Sequence, residues 1–195
     1  MKIALFDFDG TITTKDSLVD FIQFSVGKPK YYLGIFILTP VLFCFFLKLI
    51  PNYIAKEKLV SYFFKNWLLS DFNELAHTYS LQCIDKILRP AAIKKIKWHQ
   101  SQGHHVAIVS ASIENWLKPW CDKNNLRVLA TKLEVVENRV TGNFLSNNCH
   151  GLEKVNRIKE RYDLSKYDYL YAYGDSSGDK QMLSLANESY YKPFR

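Results

Sequence analysis

The sequence lacks any pair of cysteines close enough to suggest a zinc cluster or a disulfide framework. Its four cysteines, Cys44, Cys83, Cys121 and Cys149, are scattered and form no CxxC pair, which favours a reducing, cytoplasmic setting. No stretch is polar enough to indicate disorder, and there is no internal repeat. A hydrophobic fraction of 48% in 195 residues suits one core that carries an insertion rather than two independent domains.

The amino terminus has no recognisable signal peptide. The apolar run at residues 2–6 is too short for one, and Asp7 and Asp9 interrupt it at once, so we expect these residues to belong to the fold. The net charge of +7 suits nucleic acid, an anionic membrane or an anionic substrate, and equally a solvated basic surface. Charge alone therefore selects no partner.

Three short apolar runs without a helical period predict buried strands, at residues 2–6, 105–109 and 167–173. Each run is followed by small or acidic residues, as in a parallel sheet with polar groups at its carboxyl edge. Helical patterns at residues 90–102 and 113–124 alternate with them, which predicts a doubly wound α/β fold. Residues 134–141 resemble a small hairpin that forms a flap or extends the sheet.

Residues 16–88 differ in character from the rest of the chain. They form long helical patterns rich in Phe, Leu, Tyr and Trp, with no strand between them. We therefore predict a helical cap at residues 16–88, inserted after the first strand of a catalytic core at residues 1–15 and 89–195.

The segment that follows the first strand reads Asp7-Phe8-Asp9-Gly10-Thr11. Acids at i and i+2 of an extended chain point the same way, so both carboxylates can face one pocket. One can attack phosphorus while the other handles protons. On a surface loop, however, the same pair is solvated or caps a helix.

Two further positions become informative only by their placement. Ser110 and Ala111 lie where the second predicted strand gives way to a helix, and exposed N–H groups there suit a phosphate oxygen; Ser112 is equally explained as a helix cap. Lys154 enters a helical pattern that runs to Tyr162. A lysine among carboxylates and a phosphate balances charge, although most helical lysines are only surface residues.

The string Gly174-Asp175-Ser176-Ser177-Gly178-Asp179 follows the third predicted strand. Carboxylates at a sheet edge are natural Mg²⁺ ligands, and the glycines allow a tight turn around an ion. A trypsin-like serine motif is excluded, because those proteases are all-β whereas this chain alternates strands and helices.

Taken together, Asp7-Phe8-Asp9-Gly10-Thr11, Ser110, Lys154 and residues 174–179 resemble the four motifs of the haloacid dehalogenase (HAD) superfamily, over nearly the whole chain. The insertion, the Ile-Val-Ser-Ala-Ser string and the Gly151-x-x-Lys154 spacing most resemble its subfamily IB, the phosphoserine phosphatase-like hydrolases. The apolar cap is similar to that of the membrane-associated phosphatidylglycerophosphatase C-type members.

The resemblance implies a role for each matched residue. It makes Asp7 the nucleophile and Asp9 the general acid and base, with Lys154 neutralising charge. It assigns phosphate binding to Ser110, Ala111, Gly10 and Thr11, and Mg²⁺ to Asp7, Asp175 and the backbone carbonyl of Asp9, with Asp179 and Ser176 in support. The five histidines show no ligand spacing, and we interpret His150, which lies near a motif, as structural.

Residues 31–50 carry a single charge, Lys48, over a length that would match a bilayer core. A full span is rejected, because it would separate Asp7 from the other motifs. Pro40 predicts two half-length helices that pack in the cap or enter one leaflet. Residues 28–65 contain six lysines and one acid, Glu57, which suits an anionic membrane surface; the alternative is a buried cap core with snorkelling lysines.

The sequence therefore predicts a cytoplasmic, Mg²⁺-dependent phosphomonoesterase that contacts the inner face of the membrane and acts on a lipid phosphate such as phosphatidylglycerophosphate. A small soluble monoester such as phosphoserine is the alternative substrate. A non-catalytic basic module that binds membrane or nucleic acid is the alternative of another class. It would not need these acids and Lys154 together, so no nucleic-acid partner is expected; the oligomeric state is left open.

Overall fold

A five-stranded parallel sheet forms the centre of the protein in the computed structural model, which describes all residues 1–195. The strand order is β3-β2-β1-β6-β7, and every neighbouring pair is parallel. This is the predicted doubly wound α/β architecture. The strands are β1 (Lys2–Phe6), β2 (His105–Ile113), β3 (Arg127–Thr131), β6 (Tyr169–Gly174) and β7 (Glu188–Tyr191), while β4 (Leu133–Val136) and β5 (Arg139–Phe144) pair separately.

Strand β1 lies in the middle of the sheet because its side chains are apolar on both faces. Residues 3–6 are fully buried, as expected of a strand covered by helices on both sides. The covering helices of the core are α6 (Pro90–Ser101), α7 (Glu114–Lys123), α8 (Leu152–Arg161) and the short α9 (Lys180–Leu185).

Some predicted boundaries were wrong by a few residues. Strand β2 does not stop before Ser110; it continues to Ile113, because β3 pairs with it as far as Ile113 and Thr131, with an irregularity after Ser110. The helix after it begins at Glu114 rather than Ile113, and β6 begins at Tyr169 rather than at residue 167. In each case long-range pairing, which the local sequence does not contain, sets the boundary.

Five helices lie between β1 and α6. They are α1 (Ser17–Val26), α2 (Lys28–Phe46), α3 (Asn52–Phe64), α4 (Leu69–Gln82) and the short α5 (Ile84–Ile87). The chain leaves the core and returns to it through two segments that hydrogen bond to each other: Thr14 N–H donates to the Ile87 carbonyl and Arg89 N–H to the Ile12 carbonyl, both at 2.7 Å. These paired linkers form a short antiparallel ribbon.

The β4–β5 hairpin packs against α3, not against the main sheet. Glu137 and Asn138 both have positive φ, as a two-residue hairpin turn requires, so the predicted hairpin is present, and it forms a separate flap. Its approach to α3 depends on Gly142, where a Cβ would lie 2.4 Å from the Ser61 Cα.

Helix α2 contradicts two sequence expectations. It is continuous over 19 residues and includes Pro40, so the two predicted half-length helices are wrong. Proline removes one helical hydrogen bond and its ring crowds the carbonyl four residues earlier, which can kink a helix without ending it. In the preceding turn the Thr39 hydroxyl donates to the Ile35 carbonyl at 3.0 Å. The buried-core alternative is wrong too: Gly34, which packs on Phe63 of α3, is the one buried residue of α2.

Apolar side chains therefore cover an exposed surface along α2 and the loop after it. Their exposed fractions reach 77% for Phe36 and 81% for Phe46, and α2 is long and apolar enough to cross a membrane by length and hydropathy. We call this the α2 surface, formed by Tyr32, Leu33, Phe36, Ile37, Phe43, Phe46, Leu47 and Leu49.

A buried histidine joins α6 to the sheet. His99 is fully buried, with Nε2 2.9 Å from the Tyr173 hydroxyl and Nδ1 2.8 Å from Nδ1 of His104. Burial, helped by the positive charge of Lys95, lowers the pKa of His99 to about 3. This histidine is therefore neutral in the native protein at every physiological pH.

We expect acid to destabilise the protein through His99. In the unfolded chain His99 binds a proton near its ordinary pKa of 6.5, whereas in the native state its pKa is about 3. Stability is therefore complete above pH 6.5 and falls as the pH drops through that window, by about 2 kcal/mol between pH 7 and pH 5. Urea unfolding at both pH values measures this loss.

Between pH 7 and pH 5, His99→Gln should lose about 2 kcal/mol less unfolding free energy than wild type. His77→Gln, which replaces an exposed histidine on α4, is the matched control. An equal loss in wild type and His99→Gln would contradict the assignment.

Candidate active site

Lys154 is the centre of the site at the carboxyl edge of the sheet. The first turn of α8 directs its fully buried side chain into the core, where Nζ donates to Asp7 Oδ1 at 2.6 Å, Asp179 Oδ1 at 2.7 Å and the Val109 carbonyl at 2.6 Å. Burial opposes the charge of an isolated lysine, but the two carboxylates outweigh it and raise the pKa of Lys154. The lysine thus stays a cation.

Asp7 follows β1 directly and is also buried. Burial raises the pKa of its carboxyl to about 6, with a further rise from Asp179, while Lys154 opposes the shift. Its second oxygen accepts a hydrogen bond from the Thr11 hydroxyl at 2.9 Å, which also lies 3.3 Å from Asp175 Oδ1. One face of this carboxylate is therefore held by Lys154 and the other by Thr11.

Asp179 is held by its own turn. Its Oδ2 accepts from the N–H groups of Asp175 and Ser176 and from the Ser176 hydroxyl, at 2.8–3.1 Å. Although burial acts in the opposite direction, Lys154 and these donors lower its pKa. A Cβ on Gly174 would lie 2.5 Å from the Asp179 Cβ, so glycine is needed where the turn closes. Asp179 is thereby fixed as an anion beneath Lys154.

Three acids converge near Thr11. Ligand oxygens of Asp7, Asp175 and Asp179 all lie within 4.8 Å of one another. Three hard carboxylate oxygens suit Mg²⁺. Both oxygens of Asp179 are held, by Lys154 and by its own turn, while Asp7 binds Lys154 and Thr11 and Asp175 pairs with Arg195. A metal here would therefore compete with these contacts for its ligands. Gly10 permits this convergence, because a Cβ there, at φ +81°, would lie 2.5 Å from Asp175 Oδ2.

Asp9 faces away from this cluster, towards the helical insertion. Its Oδ1 accepts from the Ser17 N–H at 2.8 Å, and its Oδ2 accepts from the Ser112 hydroxyl. Burial raises the pKa of Asp9 to about 7, and the charge of Asp16 adds to the rise. The side chain of Asp9 is thus outside the acidic cluster, which leaves its backbone carbonyl as the group that the sequence resemblance assigns to the metal.

The remaining predicted phosphate-binding residues lie in the last part of β2. The buried Ser110 hydroxyl accepts from the Ser112 N–H at 3.0 Å. The Ala111 carbonyl lies 3.2 Å from both Lys56 Nζ of α3 and the Thr131 hydroxyl. Ser112, considered only as a helix cap from the sequence, in fact binds Asp9.

Three residues that sequence reasoning missed also lie here. Lys56 and Ser17 reach the site from the insertion, and Arg195 pairs with Asp175. The sequence contained only the basic composition of residues 28–65 as a signal for Lys56. For Ser17 and Arg195 there was none, because their positions depend on tertiary contacts. His150, interpreted from the sequence as structural, packs on Gly178.

A scan against protein-family models matches residues 4–184 to the haloacid dehalogenase-like hydrolases. The matched residues include every acid described above and Lys154. The chain belongs to this family.

Among curated proteins, the hydrolase is similar to Protein CicA of Caulobacter vibrioides. The two are 31% identical over 195 residues, which cover 99% of this chain and 86% of that protein. The similarity extends through the helical insertion as well as the core.

Solved structures confirm the fold. A protein of unknown function from Bordetella pertussis Tohama I superposes with a TM-score of 0.83 at 19% identity, covering 97% of this chain and 89% of that one. A phosphoserine phosphatase, solved as an analogue of its phospho-aspartyl intermediate, gives a TM-score of 0.68 at 17% identity, with coverage of 97% and 85%. At these identities the likeness concerns the fold.

Proposed function

We propose that this hydrolase is an Mg²⁺-dependent phosphomonoesterase that forms an aspartyl-phosphate on Asp7. The observation that carries the proposal is the buried contact of Lys154 with Asp7 and Asp179, next to a second, differently bound acid, Asp9. Two carboxylates in different environments are what a two-step transfer requires, since one must stay a nucleophile and the other must exchange a proton.

In the first step an Asp7 oxygen attacks phosphorus as the ester P–O bond breaks, and Asp9 donates a proton to the departing alcohol oxygen. In the second, Asp9 takes a proton from water, whose oxygen attacks the aspartyl-phosphate and releases phosphate. A pKa of about 7 for Asp9 suits a group that must both give and accept a proton near neutrality. Lys154 stabilises the charge on the phosphoryl oxygens throughout.

We propose that Asp7, Asp175 and the backbone carbonyl of Asp9 hold Mg²⁺, and the convergence of the Asp7 and Asp175 carboxylates supports this. Bound there, the ion would supply positive charge that lets an anionic phosphate approach an anionic carboxylate. Ser110, the N–H groups around Ala111, and the Gly10-Thr11 turn are proposed to bind the phosphoryl oxygens. Asp179 and Ser176 are proposed to hold Lys154 and the turn of Asp175 in place.

Hydrolysis of p-nitrophenyl phosphate tests the activity class. We expect turnover that requires added Mg²⁺, is abolished by EDTA and returns when excess Mg²⁺ is restored. Undiminished turnover in EDTA would contradict the metal requirement. Absence of turnover on every phosphate monoester, with or without Mg²⁺, would favour the non-catalytic binding module.

We further propose that the substrate is a lipid phosphate, such as phosphatidylglycerophosphate, reached from the inner face of the membrane. The exposed α2 surface supports this, because a soluble protein rarely leaves so large an apolar patch uncovered. Lysines flank it on both sides, at Lys28 and Lys30 before it and Lys48 within the following loop. They suit the anionic headgroups of a bilayer whose hydrocarbon boundary receives the aromatic side chains.

A soluble monoester such as phosphoserine is the competing substrate. The superposition on a phosphoserine phosphatase favours it, although at 17% identity this likeness concerns the fold. A parallel screen of phosphorylated metabolites and of lipid phosphates in mixed micelles decides between them. Preference for phosphoserine over every lipid phosphate would make a soluble monoester the favoured substrate class instead of a lipid phosphate.

A further inference from the structure

The segment that follows β7, residues 192–195, lies at the carboxyl edge of the sheet; we call it the β7 arm. Strand β7 pairs with β6 as far as Tyr191 and Gly174, and the next N–H group, that of Lys192, donates to the Gly174 carbonyl at 2.8 Å. Lys192 has a φ of +55°, in the left-handed region, so the chain turns away from the strand direction here. The arm is thereby held beside the residue that directly precedes Asp175.

Phe194 anchors the other end of the β7 arm. Its ring stacks on the rings of Tyr173 and Phe6, with centroids 5.7 and 6.4 Å apart. Both partners are fully or almost fully buried residues of the main core, at the ends of β6 and β1. Because this ring is fixed against the core, the backbone of Arg195 is brought to the edge of the sheet where the acids meet.

Arg195 extends from the β7 arm to Asp175. Its Nη2 donates to Asp175 Oδ2, and in this ion pair the carboxylate side chain is 11% exposed whereas the arginine is 45% exposed. A Cβ on Gly10 would lie 2.5 Å from the same oxygen, so the ion pair lies beside the turn of Gly10 and Thr11. The guanidinium is therefore part of the candidate active site.

The charge of the acidic cluster explains why Asp175 has this partner. Ligand oxygens of Asp7, Asp175 and Asp179 lie within 4.8 Å of one another, but Lys154 forms ion pairs with only two of these acids, Asp7 and Asp179. Between Asp7 and Asp175 stands the hydroxyl of Thr11, which is neutral. The arginine of the β7 arm thus supplies the positive charge that Asp175 does not receive from Lys154.

Mg²⁺ and this guanidinium are alternative partners of one carboxylate. A divalent ion between Asp7 and Asp175 would bring enough charge to balance both acids, and a further positive group beside them would then repel the ion. Lys154 is fully buried and cannot withdraw. Arg195 is nearly half exposed, so its side chain can move into water, where a guanidinium is hydrated at little cost.

We propose that Arg195 is a built-in counter-ion of the metal site, which neutralises Asp175 until Mg²⁺ binds and which Mg²⁺ displaces from that carboxylate. The inference rests on the proposed Mg²⁺ site. The exchange makes Mg²⁺ binding weaker than the acids alone would allow, because each binding event must also break an ion pair. At low Mg²⁺ concentration the site is therefore held inactive by its own arginine.

Isothermal titration of Mg²⁺ into the full chain, first freed of divalent ions with EDTA and dialysed, measures this exchange without any catalysis. Arg195→Gln is expected to lower the Kd for Mg²⁺ about fivefold, the effect of one partly exposed ion pair. Arg195→Lys keeps a cation and should remain closer to wild type. Lys192→Gln removes the same charge from the same arm, at an exposed residue that does not contact Asp175, and is the matched control.

Thermal melting gives a second readout that does not depend on activity. In EDTA, Arg195→Gln should melt at a lower temperature than wild type, because Asp175 has lost its counter-ion. Excess Mg²⁺ should then raise the melting temperature of this variant by more than it raises that of wild type, since a ligand that binds more tightly stabilises the native state more. Lys192→Gln should show the wild-type increase.

The sign of the change separates this role from a structural one. If Arg195 only oriented Asp175 for the metal, its replacement would weaken Mg²⁺ binding. A Kd for Arg195→Gln that is higher than or equal to that of wild type would thus overturn the inference and leave the Mg²⁺ site intact. If Mg²⁺ gave no binding heat and no change in melting with wild type or any variant, the proposed metal site itself would be wrong, and the inference with it.

Discussion

Asp7→Asn is expected to reduce turnover of every phosphate monoester by roughly 10⁴-fold or more, the scale on which loss of a covalent nucleophile acts. An amide oxygen does not attack phosphorus at a useful rate. The fold should survive, because asparagine has the same shape and Lys154 keeps its contact with Asp179. Neutral asparagine also removes the burial penalty that raises the pKa of Asp7 to about 6.

Steady-state rates with p-nitrophenyl phosphate measure this effect, and circular dichroism and thermal melting report on the fold. Asp122→Asn on α7, where the carboxylate is exposed and bound to Lys118, is the matched control and should retain full turnover. Asp9→Asn should differ in kind. An aryl oxide leaves without a proton donor, so Asp7 is still phosphorylated, but attack of water on the phosphoenzyme needs a base that asparagine cannot supply; the phosphoenzyme should accumulate. Ordinary turnover by Asp7→Asn would exclude covalent catalysis at this residue.

The α2 surface is expected to bind anionic vesicles, and charge reversal beside it should weaken that binding at least about 30-fold. Each lysine near an anionic surface contributes about 1 kcal/mol, so Lys30→Glu with Lys48→Glu removes about 2 kcal/mol before any new repulsion is counted. Apolar insertion by Phe36 and Phe46 adds to the attraction and should make it persist in part at high salt.

Co-sedimentation with vesicles of phosphatidylglycerol, compared with phosphatidylcholine alone, measures the partitioning. The double reversal Lys118→Glu with Lys123→Glu changes the same net charge on α7, away from α2, and serves as the control. If wild type ignored both lipids, and the Lys30 and Lys48 variant hydrolysed lipid phosphates normally, the α2 surface would not be a membrane contact. The soluble-monoester alternative would then take precedence.

The main sheet and the meeting of its acids were predictable from the sequence for one physical reason. Parallel strands end at the same edge, so residues that follow buried apolar runs, such as Asp7 and Asp175, must converge there. Predicting that Lys154 lies at the same edge required only the position of one further helix. These features depend on local patterns whose spatial consequence is fixed by topology.

The helical insertion was less predictable because its features depend on partners. Pro40 indicated a break, but a helix can lose one hydrogen bond and continue. The exposure of α2 could not be deduced either, since an apolar helix is buried only if other elements cover it. The contact of Lys56 with Ala111 likewise arises from the packing of α3 against the core, and no local pattern encodes that packing.

The paired linkers at residues 12–14 and 87–89 have a consequence for proton transfer. A two-stranded ribbon bends like a hinge more easily than it stretches, so the helical insertion is expected to swing as a unit about this point. Ser17, on the insertion side of the hinge, donates to Asp9 on the core side, and the closed insertion is what buries Asp9. Opening would admit water to that carboxyl and return its pKa from about 7 towards the value of a solvated acid. Asp9 therefore has its raised pKa only while the insertion is closed over it, and we expect closing and opening of the insertion to couple proton transfer to substrate entry and product release.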